Sequence, residues 1–198
     1  MLPIMEAFYT IQGEGFHTGK AAYFIRIAGC DVGCTWCDVK ESWNASLHPL
    51  QSIEQIVSEA EKHPARIAII TGGEPLQHDC TALTQALQEK GFQTHVETSG
   101  AYPLSGSWNW ICLSPKKFKA PLEEVLAVCD EFKPVIFHSS DIKWAENFVS
   151  LIKKKEAKLY LQPEWSKQDA LLTQLIDYIK ANPQWQMSLQ THKYMNIP

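Results

Sequence analysis

The sequence has no long apolar run, no excess of positive charge, and no linker rich in proline, glycine or serine. A membrane span needs about 20 consecutive apolar residues, so no membrane partner is expected. The first ten residues also lack the basic start and apolar core of a signal peptide. The net charge of −4 argues against direct nucleic-acid binding through phosphates. We therefore predict a cytoplasmic protein with a single domain over residues 1–198.

The cysteines are unevenly distributed. Cys30, Cys34 and Cys37 crowd into one short stretch, GCDVGCTWCD, with no fourth cysteine or histidine at a short spacing after Cys37. Thiols stay reduced in the cytoplasm, so such crowding indicates metal binding or catalysis before disulfides. The other cysteines have no ligand-like spacing, and we expect them to be small buried hydrophobic residues. They are Cys80, Cys112 and Cys129.

Three thiols are compatible with more than one metal centre. A structural zinc site takes four protein ligands, whereas a catalytic zinc site can use three. An iron–sulfur cubane anchored by three thiolates leaves its fourth iron open to a small ligand. Thiolates select zinc, copper or iron–sulfur, so the spacing by itself narrows the metal without naming it.

Short β-branched runs alternate with helical patterns, which predicts an α/β fold with a mainly parallel sheet. The length is short of the roughly 250 residues of a complete eight-stranded barrel. We therefore predict an incomplete, open (β/α) barrel of about six strands, with ligands at the carboxyl ends of the strands. The candidate strands are residues 22–29, 66–70, 92–98, 110–114, 135–139, 158–162 and 185–190.

Four amphipathic helices are predicted between these strands. The first follows Ser52, which can form a capping box with Gln55. The second covers about residues 79–90 and ends before Gly91. The third carries residues 144–152, and the fourth carries residues 171–179 and ends before Pro183.

Two of these motifs together resemble a known enzyme superfamily. The spacing of Cys30, Cys34 and Cys37, with Trp36 before the last, resembles the radical S-adenosylmethionine signature. TGGEP at residues 71–75 follows a predicted strand and resembles the segment by which these enzymes contact the methionine amino group. Glycines suit such a place because they let a backbone approach a ligand closely.

Further motifs resemble one family within that superfamily, the 7-carboxy-7-deazaguanine synthases. They run from YTIQGEG near the start through ETSG, LSPKK and LQPE to HKYMNIP at residues 192–198. The resemblance implies a radical S-adenosylmethionine fold, a [4Fe–4S] cluster and S-adenosylmethionine as cofactors. It also implies a lyase reaction, the radical ring contraction of 6-carboxy-5,6,7,8-tetrahydropterin to 7-carboxy-7-deazaguanine with loss of ammonia. The product is an intermediate toward 7-deazapurines such as queuosine in tRNA.

The resemblance also implies roles for individual residues. Cys30, Cys34 and Cys37 would bind the cluster, and no protein side chain would carry the radical, which belongs to the cofactor. The residues implied to contact S-adenosylmethionine are Trp36, Cys37, Asp38, Gly73, Glu74, Ser99, Ser114, Lys116 and Gln162.

For the pterin, the resemblance implies both backbone and side-chain contacts. Glu14 can accept from the pterin amino groups, and Arg26 matches the arginine that binds the substrate carboxylate. An unpaired charge in the apolar run YFIRIAG would be costly if buried, which favours a ligand for Arg26 over a plain surface position. The implied substrate contacts are Ile11, Gln12, Gly13, Glu14, Arg26, Thr71, His192 and the terminal carboxylate of Pro198.

One position departs from the family pattern. Magnesium-dependent members carry threonine directly after the Cys–Asp pair, whereas this chain has Val39. Valine offers no oxygen ligand, so we expect weak or no stimulation by Mg²⁺. The expected partners are an electron donor such as flavodoxin or ferredoxin and, by analogy with the family, a second copy in a homodimer.

Two other functions stay open at this point. A small radical enzyme that activates a glycyl-radical protein would lack QGEG and the pterin-contacting chain end. A non-enzymatic iron–sulfur or zinc module would not need TGGEP and would not cleave S-adenosylmethionine.

Overall fold

The computed structural model describes all residues from 1 to 198 and places ten strands in one open sheet, in the order β10-β9-β7-β6-β5-β4-β2-β1-β3, with β8 beside β9. The strands are β1 (Leu2–Ile11), β2 (Ala21–Ile27), β3 (Leu50–Gln51), β4 (Ile67–Gly72), β5 (Gln93–Thr98), β6 (Trp110–Leu113), β7 (Glu131–Phe132), β8 (Val135–Ile136), β9 (Lys158–Pro163) and β10 (Trp185–Met187). The sheet does not close on itself, as the chain length predicts.

Parallel pairing runs through the sheet from β2 to β10, and only β1 and β3 are antiparallel to their neighbours. The mainly parallel sheet is thereby confirmed. Strand β1 pairs with β2 along most of its length, whereas β3 covers only Leu2 and Pro3 on its other side. Residues 5–11 of β1 therefore have a neighbouring strand on one side only.

The helices are α1 (Ile53–Glu61), α2 (Thr81–Glu89), α3 (Glu123–Val128), α4 (Ser140–Val149), α5 (Gln168–Ala181) and α6 (Thr191–Met195). The predicted capping box is present at α1, since Ser52 Oγ accepts from Gln55 N and Gln55 Oε1 accepts from Ser52 N. Helix α4 ends earlier than predicted, and Leu151 and Ile152 pack on the core from the turn that follows it.

Several strand predictions are corrected by the structure. The three strands β1, β3 and β7 are additional to the predicted set, and the predicted strand 135–139 is only Val135–Ile136. It stops because the amides of Phe137 and His138 donate to the Asp141 carboxylate at 2.8 and 2.9 Å, which draws them into the start of α4. The predicted strand 185–190 ends at Met187 because the next residues turn toward the cavity described below.

The core consists of two clusters. One packs α1 and α2 against β1, β2 and β4, and the other packs α3, α4 and α5 against the strands from β5 to β10. Cys80, Cys112 and Cys129 are all buried, as predicted, and Cys80 and Cys129 belong to these two clusters. None of the helices combines the length and apolar character needed to cross a lipid bilayer.

Candidate functional site

A cavity of about 280 Å³ opens at the carboxyl edge of the parallel strands. This is near the lower end of the range for small-molecule sites. All but one of the sequence-predicted site residues line it. They are Ile11, Gln12, Gly13, Glu14, Arg26, Cys30, Cys34, Trp36, Cys37, Asp38, Thr71, Gly73, Ser99, Ser114, Lys116, Gln162, His192 and Pro198.

One side of the cavity, which we call the thiol wall, consists of Cys30, Cys34, Cys37 and Gly73. The three thiols are free and lie on the loop after β2. No three histidine, cysteine or carboxylate side chains converge closely enough to hold one metal ion. Burial raises the pKa of Cys30, and it raises that of Cys34 to about 11, so both are protonated in the free chain. A bound metal would replace these protons.

Main-chain contacts seat the cysteine loop against the end of β4. Gly73 N donates to Ile27 O at 3.0 Å and Glu74 N to Gly29 O at 2.8 Å. A Cβ on Gly73 would lie 2.4 Å from Gly29 O and 2.7 Å from Cys30 Cβ. Only glycine permits this approach, so the thiols reach the strand end because residue 73 has no side chain. Free thiols beside such a glycine form a donor set that suits an iron–sulfur cluster.

Glu74 is the one predicted site residue that does not line the cavity. It is buried, and its Oε1 accepts from Leu76 N at 3.1 Å and Thr98 Oγ1 at 2.7 Å. Its Oε2 accepts from the amide and hydroxyl of Ser99 at 2.8 and 2.5 Å. Both carboxylate oxygens therefore join the ends of β4 and β5. Glu74 is expected from the sequence to contact S-adenosylmethionine, whereas here its carboxylate is turned away from the cavity and bound within the protein.

A polar network holds the cysteine loop from outside. Tyr102 Oη donates to Asp31 Oδ2 at 2.6 Å, and Lys119 Nζ lies 2.9 Å from the same oxygen. Gln77 Nε2 donates in turn to Tyr102 Oη at 3.0 Å. Because Asp31 is next to Cys30, these bonds limit the freedom of the first thiol.

Lys116 lies between the thiol wall and the end of β6. Its Nζ donates to Ser114 O at 2.5 Å and to Ser114 Oγ at 2.6 Å, and it lies 5.9 Å from the centre of the Trp36 ring. Burial lowers the pKa of Lys116. The ammonium thus supplies a partly desolvated cation beside the three thiols, where a ligand carboxylate could bind.

Another side of the cavity, the carboxylate wall, consists of Gln12, Glu14, Glu97, Lys133 and Gln190. Lys133 directly follows β7 and has only 2% of its side chain exposed. Its Nζ lies 2.5 Å from Glu14 Oε2 and 3.3 Å from Glu97 Oε2. Burial opposes ionisation of Glu14, but Lys133 outweighs it and lowers the pKa of Glu14 to about 2. The wall is therefore charged at neutral pH.

Two glutamines complete the carboxylate wall. Gln12 Nε2 donates to Glu97 Oε1 at 3.0 Å, and Gln190 Nε2 donates to Glu14 Oε1 at 2.9 Å. Nearby, Ser188 Oγ donates to Gln162 Oε1 at 2.7 Å and accepts from Gly15 N at 3.0 Å. The residues after β10 therefore leave the sheet to bind the segment after β1.

The C-terminal residues lie against the same segment. Thr191 N and its hydroxyl both donate to Gly13 O at 2.9 Å, and a Cβ on Gly13 would lie 2.4 Å from His192 Nδ1. Asn196 at the end of α6 has φ of 53°, a left-handed conformation that turns the chain back. His192 and Pro198 consequently both reach the cavity.

Arg26 lines the cavity, but its environment differs from the sequence argument. Its Nε donates to Glu6 Oε1 at 2.6 Å across the β1–β2 pair, and its side chain is 19% exposed. Glu6 therefore offsets the cost of burying this charge, so the cost alone does not require a ligand at Arg26. The terminal nitrogens of Arg26 have no protein partner and are free to bind an anion.

Sequence reasoning missed three polar residues of the carboxylate wall. Glu97 lies within the predicted strand 92–98, Lys133 follows the two-residue strand β7, and Gln190 lies at the end of the predicted strand 185–190. A signal was available for Lys133, since it directly follows the apolar residue Phe132, just as Ser99 and Ser114 directly follow predicted or observed strand residues. The structure shows it as the cation on which the wall depends.

Comparison with known proteins agrees with this geometry. Residues 24–105, which include the thiol wall, match the model of the Radical SAM superfamily. The fold and the cavity thus define a radical S-adenosylmethionine enzyme.

Full-length relatives narrow the assignment. The 7-carboxy-7-deazaguanine synthase of Flavobacterium psychrophilum is 56% identical over 100% of this chain and 93% of its own length. That of Synechocystis sp. is 44% identical over 98% of the chain and 93% of its own, and that of Escherichia coli K12 is 35% identical over 98% of both. The crystal structure of QueE from Escherichia coli superposes with a TM-score of 0.85, at 33% identity over 96% of this chain and 94% of that one. The chain belongs to the 7-carboxy-7-deazaguanine synthase family.

Proposed function

We propose that the protein converts 6-carboxy-5,6,7,8-tetrahydropterin to 7-carboxy-7-deazaguanine with loss of ammonia, a lyase reaction in queuosine and 7-deazapurine biosynthesis. The observation that carries this proposal is one cavity with both a thiol wall and a carboxylate wall. The first suits a cluster-bound cofactor, and the second suits a ring system rich in N–H donors. Full-length relatives with this activity in their names support the same reaction.

Cys30, Cys34 and Cys37 would hold the [4Fe–4S] cluster. When bound, the cluster and S-adenosylmethionine supply the one-electron chemistry, and the protein supplies binding and orientation. Lys116 is placed to bind a ligand carboxylate, while Ser99, Ser114 and Gln162 would contact the ribose and adenine from the strand ends. The backbone of Trp36, Asp38 and Gly73 would lie against the cofactor, and Glu74 would act by fixing the ends of β4 and β5.

The pterin would lie against the carboxylate wall. The backbone of Ile11, Gln12 and Gly13 would contact the ring, and Glu14 would accept from its amino group. Arg26, with its terminal nitrogens free, would bind the substrate carboxylate, with Thr71 beside it in register on β4. His192 and the end of the chain at Pro198 would close the site from the C-terminal side.

Anaerobic reconstitution with iron and sulfide, followed by dithionite, S-adenosylmethionine and the carboxy-tetrahydropterin, tests the proposal. Formation of 7-carboxy-7-deazaguanine is expected. Cleavage of S-adenosylmethionine without conversion of the pterin would instead indicate an activating enzyme for a protein radical. Absence of both reactions would indicate an iron–sulfur module without this chemistry.

Val39 makes magnesium dependence a separate prediction. Val39 lines the cavity, and its side chain offers no oxygen ligand for Mg²⁺. We expect metal-stripped, reconstituted protein to gain less than about twofold in rate on addition of Mg²⁺. Val39→Thr should increase that response, and a large stimulation of the unmodified protein would contradict the prediction.

The remaining proposals concern the setting of the enzyme. We infer that residues 1–198 act as one radical S-adenosylmethionine domain in the cytoplasm. A flavodoxin or ferredoxin would reduce the cluster, and two copies would form a homodimer. Size-exclusion chromatography with light scattering tests the dimer, and turnover with each reduced donor tests the reductant.

A further inference from the structure

Lys133 is buried beside Glu14 in the cavity and has no role in the proposed function. Its side chain is 2% exposed, and an ammonium buried so completely is costly unless carboxylates pair with it. Glu14 and Glu97 provide that pairing from two distant parts of the chain, 119 residues away in the case of Glu14. The buried lysine therefore depends on both carboxylates, and both depend on it.

The wall carries more negative than positive charge. Glu14 and Glu97 flank one lysine, and their side chains are 20% and 22% exposed against 2% for Lys133, so the carboxylates present more surface to the cavity than the ammonium does. Each carboxylate uses one oxygen for Lys133 and the other for a glutamine amide. A carboxylate has about four acceptor sites, so both groups retain capacity for further donors.

The free acceptor sites of Glu14 and Glu97 suit a ligand whose edge carries two adjacent hydrogen-bond donors. The 2-amino-4-oxopyrimidine ring of a pterin presents an amino group beside a ring N–H, two adjacent donors. A ring with a carbonyl at C2 in place of the amino group would bring an oxygen lone pair toward a carboxylate. Both acceptors would then be buried without a donor. The arrangement thus selects for the amino-substituted ring and against the dioxo ring.

We propose that Lys133 is a positioning residue that holds Glu14 and Glu97 side by side as charged acceptors for the 2-amino and ring N–H groups of the pterin. This inference rests on the proposed function and assigns Glu97 as a second ring contact beside Glu14. Without Lys133 the two carboxylates would repel each other, and one would move away or take up a proton. In either case the matched pair of acceptors would be lost.

Equilibrium titration of the reconstituted protein, loaded with S-adenosylmethionine, tests the proposal with two probes. These are 6-carboxypterin and 6-carboxylumazine, which differ in the group at C2. We expect the unmodified protein to prefer the pterin by at least about tenfold. Lys133→Met should weaken pterin binding by at least about tenfold, because hydrogen bonds to charged groups are lost, and should reduce the preference. In turnover it should raise KM more than it lowers kcat.

Lys62→Met is the matched control, since Lys62 forms an exposed ion pair with Glu59. This variant should bind both probes as the unmodified protein does. If Lys133→Met does not fold, Glu97→Gln tests the inference instead. Glutamine keeps the shape of the glutamate side chain but lets an amide donor face the group at C2 of the probe. It should narrow the preference between the probes. Unchanged affinity and preference in Glu97→Gln, or in a folded Lys133→Met, would overturn the inference.

The experiment separates this inference from the proposed function. If the unmodified protein forms the deazaguanine but the variants bind both probes normally, only the role of Lys133 fails. If the unmodified protein neither binds the pterin nor forms the product, the proposed function fails and the inference fails with it.

Discussion

The two walls of the cavity are built in opposite ways. The thiol wall comes from one loop, residues 30–37, and the adjacent end of β4, held by main-chain hydrogen bonds. The carboxylate wall joins residues as far apart as Glu14 and Gln190, 176 positions away, through side-chain bonds and a buried cation. The first depends on local sequence and close backbone approach, whereas the second depends on the complete sheet.

This difference predicts different failures. Damage to the thiol wall should remove the cofactor and leave the fold intact. Damage near the carboxylate wall should alter substrate binding or stability, because buried charges there are balanced only when the whole network is present.

Cys37→Ala should have the largest effect. Loss of one of the thiolates should prevent stable cluster assembly and abolish activity, measured as iron content, visible absorption and product formation. Cys129→Ala is the matched control, since that thiol is buried outside the cavity. It should lower stability slightly and retain iron, and full iron loading of Cys37→Ala would contradict the assignment.

Glu131→Gln probes the charge behind the carboxylate wall. Burial raises the pKa of Glu131 to about 7, and its Oε1 has no partner. A folded-state pKa above the ordinary 4.5 means that its contribution to stability is present below pH 4.5 and is lost as the pH rises through about 7.

The glutamine variant lacks this titration. Relative to the unmodified protein, it should therefore gain about 2–3 kcal/mol of unfolding free energy between pH 5 and pH 8. Urea denaturation at both pH values measures the gain, with Glu59→Gln as an exposed control. An equal pH dependence in both proteins would show that Glu131 stays ionised.

Gly73→Ala tests the close approach at the thiol wall. Its Cβ would meet Gly29 O at 2.4 Å, so the cysteine loop must shift at a cost of about 1–3 kcal/mol. Iron content and S-adenosylmethionine cleavage should both fall. Gly91→Ala is the control: its Cβ would meet no neighbour within 4 Å, and its only cost is the positive φ. It should keep normal iron content and S-adenosylmethionine cleavage. Normal cleavage by Gly73→Ala would contradict the steric argument.

Lys193→Met should have the smallest effect. Lys193 Nζ lies 3.2 Å from Asp38 Oδ2, which links α6 to the cysteine loop between the two walls. The Asp38 side chain is 61% exposed, and such pairs contribute less than about 1 kcal/mol. We expect less than about a threefold change in pterin KM, diminishing further in high salt. A larger, salt-independent change would show that the link is essential.

The same contrast explains what could be predicted from sequence. The strands β4, β6 and β9 contain continuous apolar runs, β5 has the β-branched residues Thr94, Val96 and Thr98 at alternate positions, and the cysteine loop is contiguous, so all of these were predictable. Strand β7 has only two residues, and α3 and α6 have six and five, too few to show a period.

Tertiary pairing accounts for the rest. Glu6 and Arg26 face each other only because β1 turns back antiparallel onto β2. Lys133 meets its carboxylates only because β7 is inserted between β6 and β9 in the sheet. Neither pairing leaves a local pattern in the sequence, whereas the motif residues do.

The one-sided pairing of β1 affects amide hydrogen exchange. Along residues 5–11, amides that face β2 are hydrogen-bonded, whereas those on the outer edge have no strand to accept them. Deuterium should therefore enter alternate positions of this strand rapidly, while the central strands β4 and β5, which have neighbours on both sides, should exchange only on global unfolding.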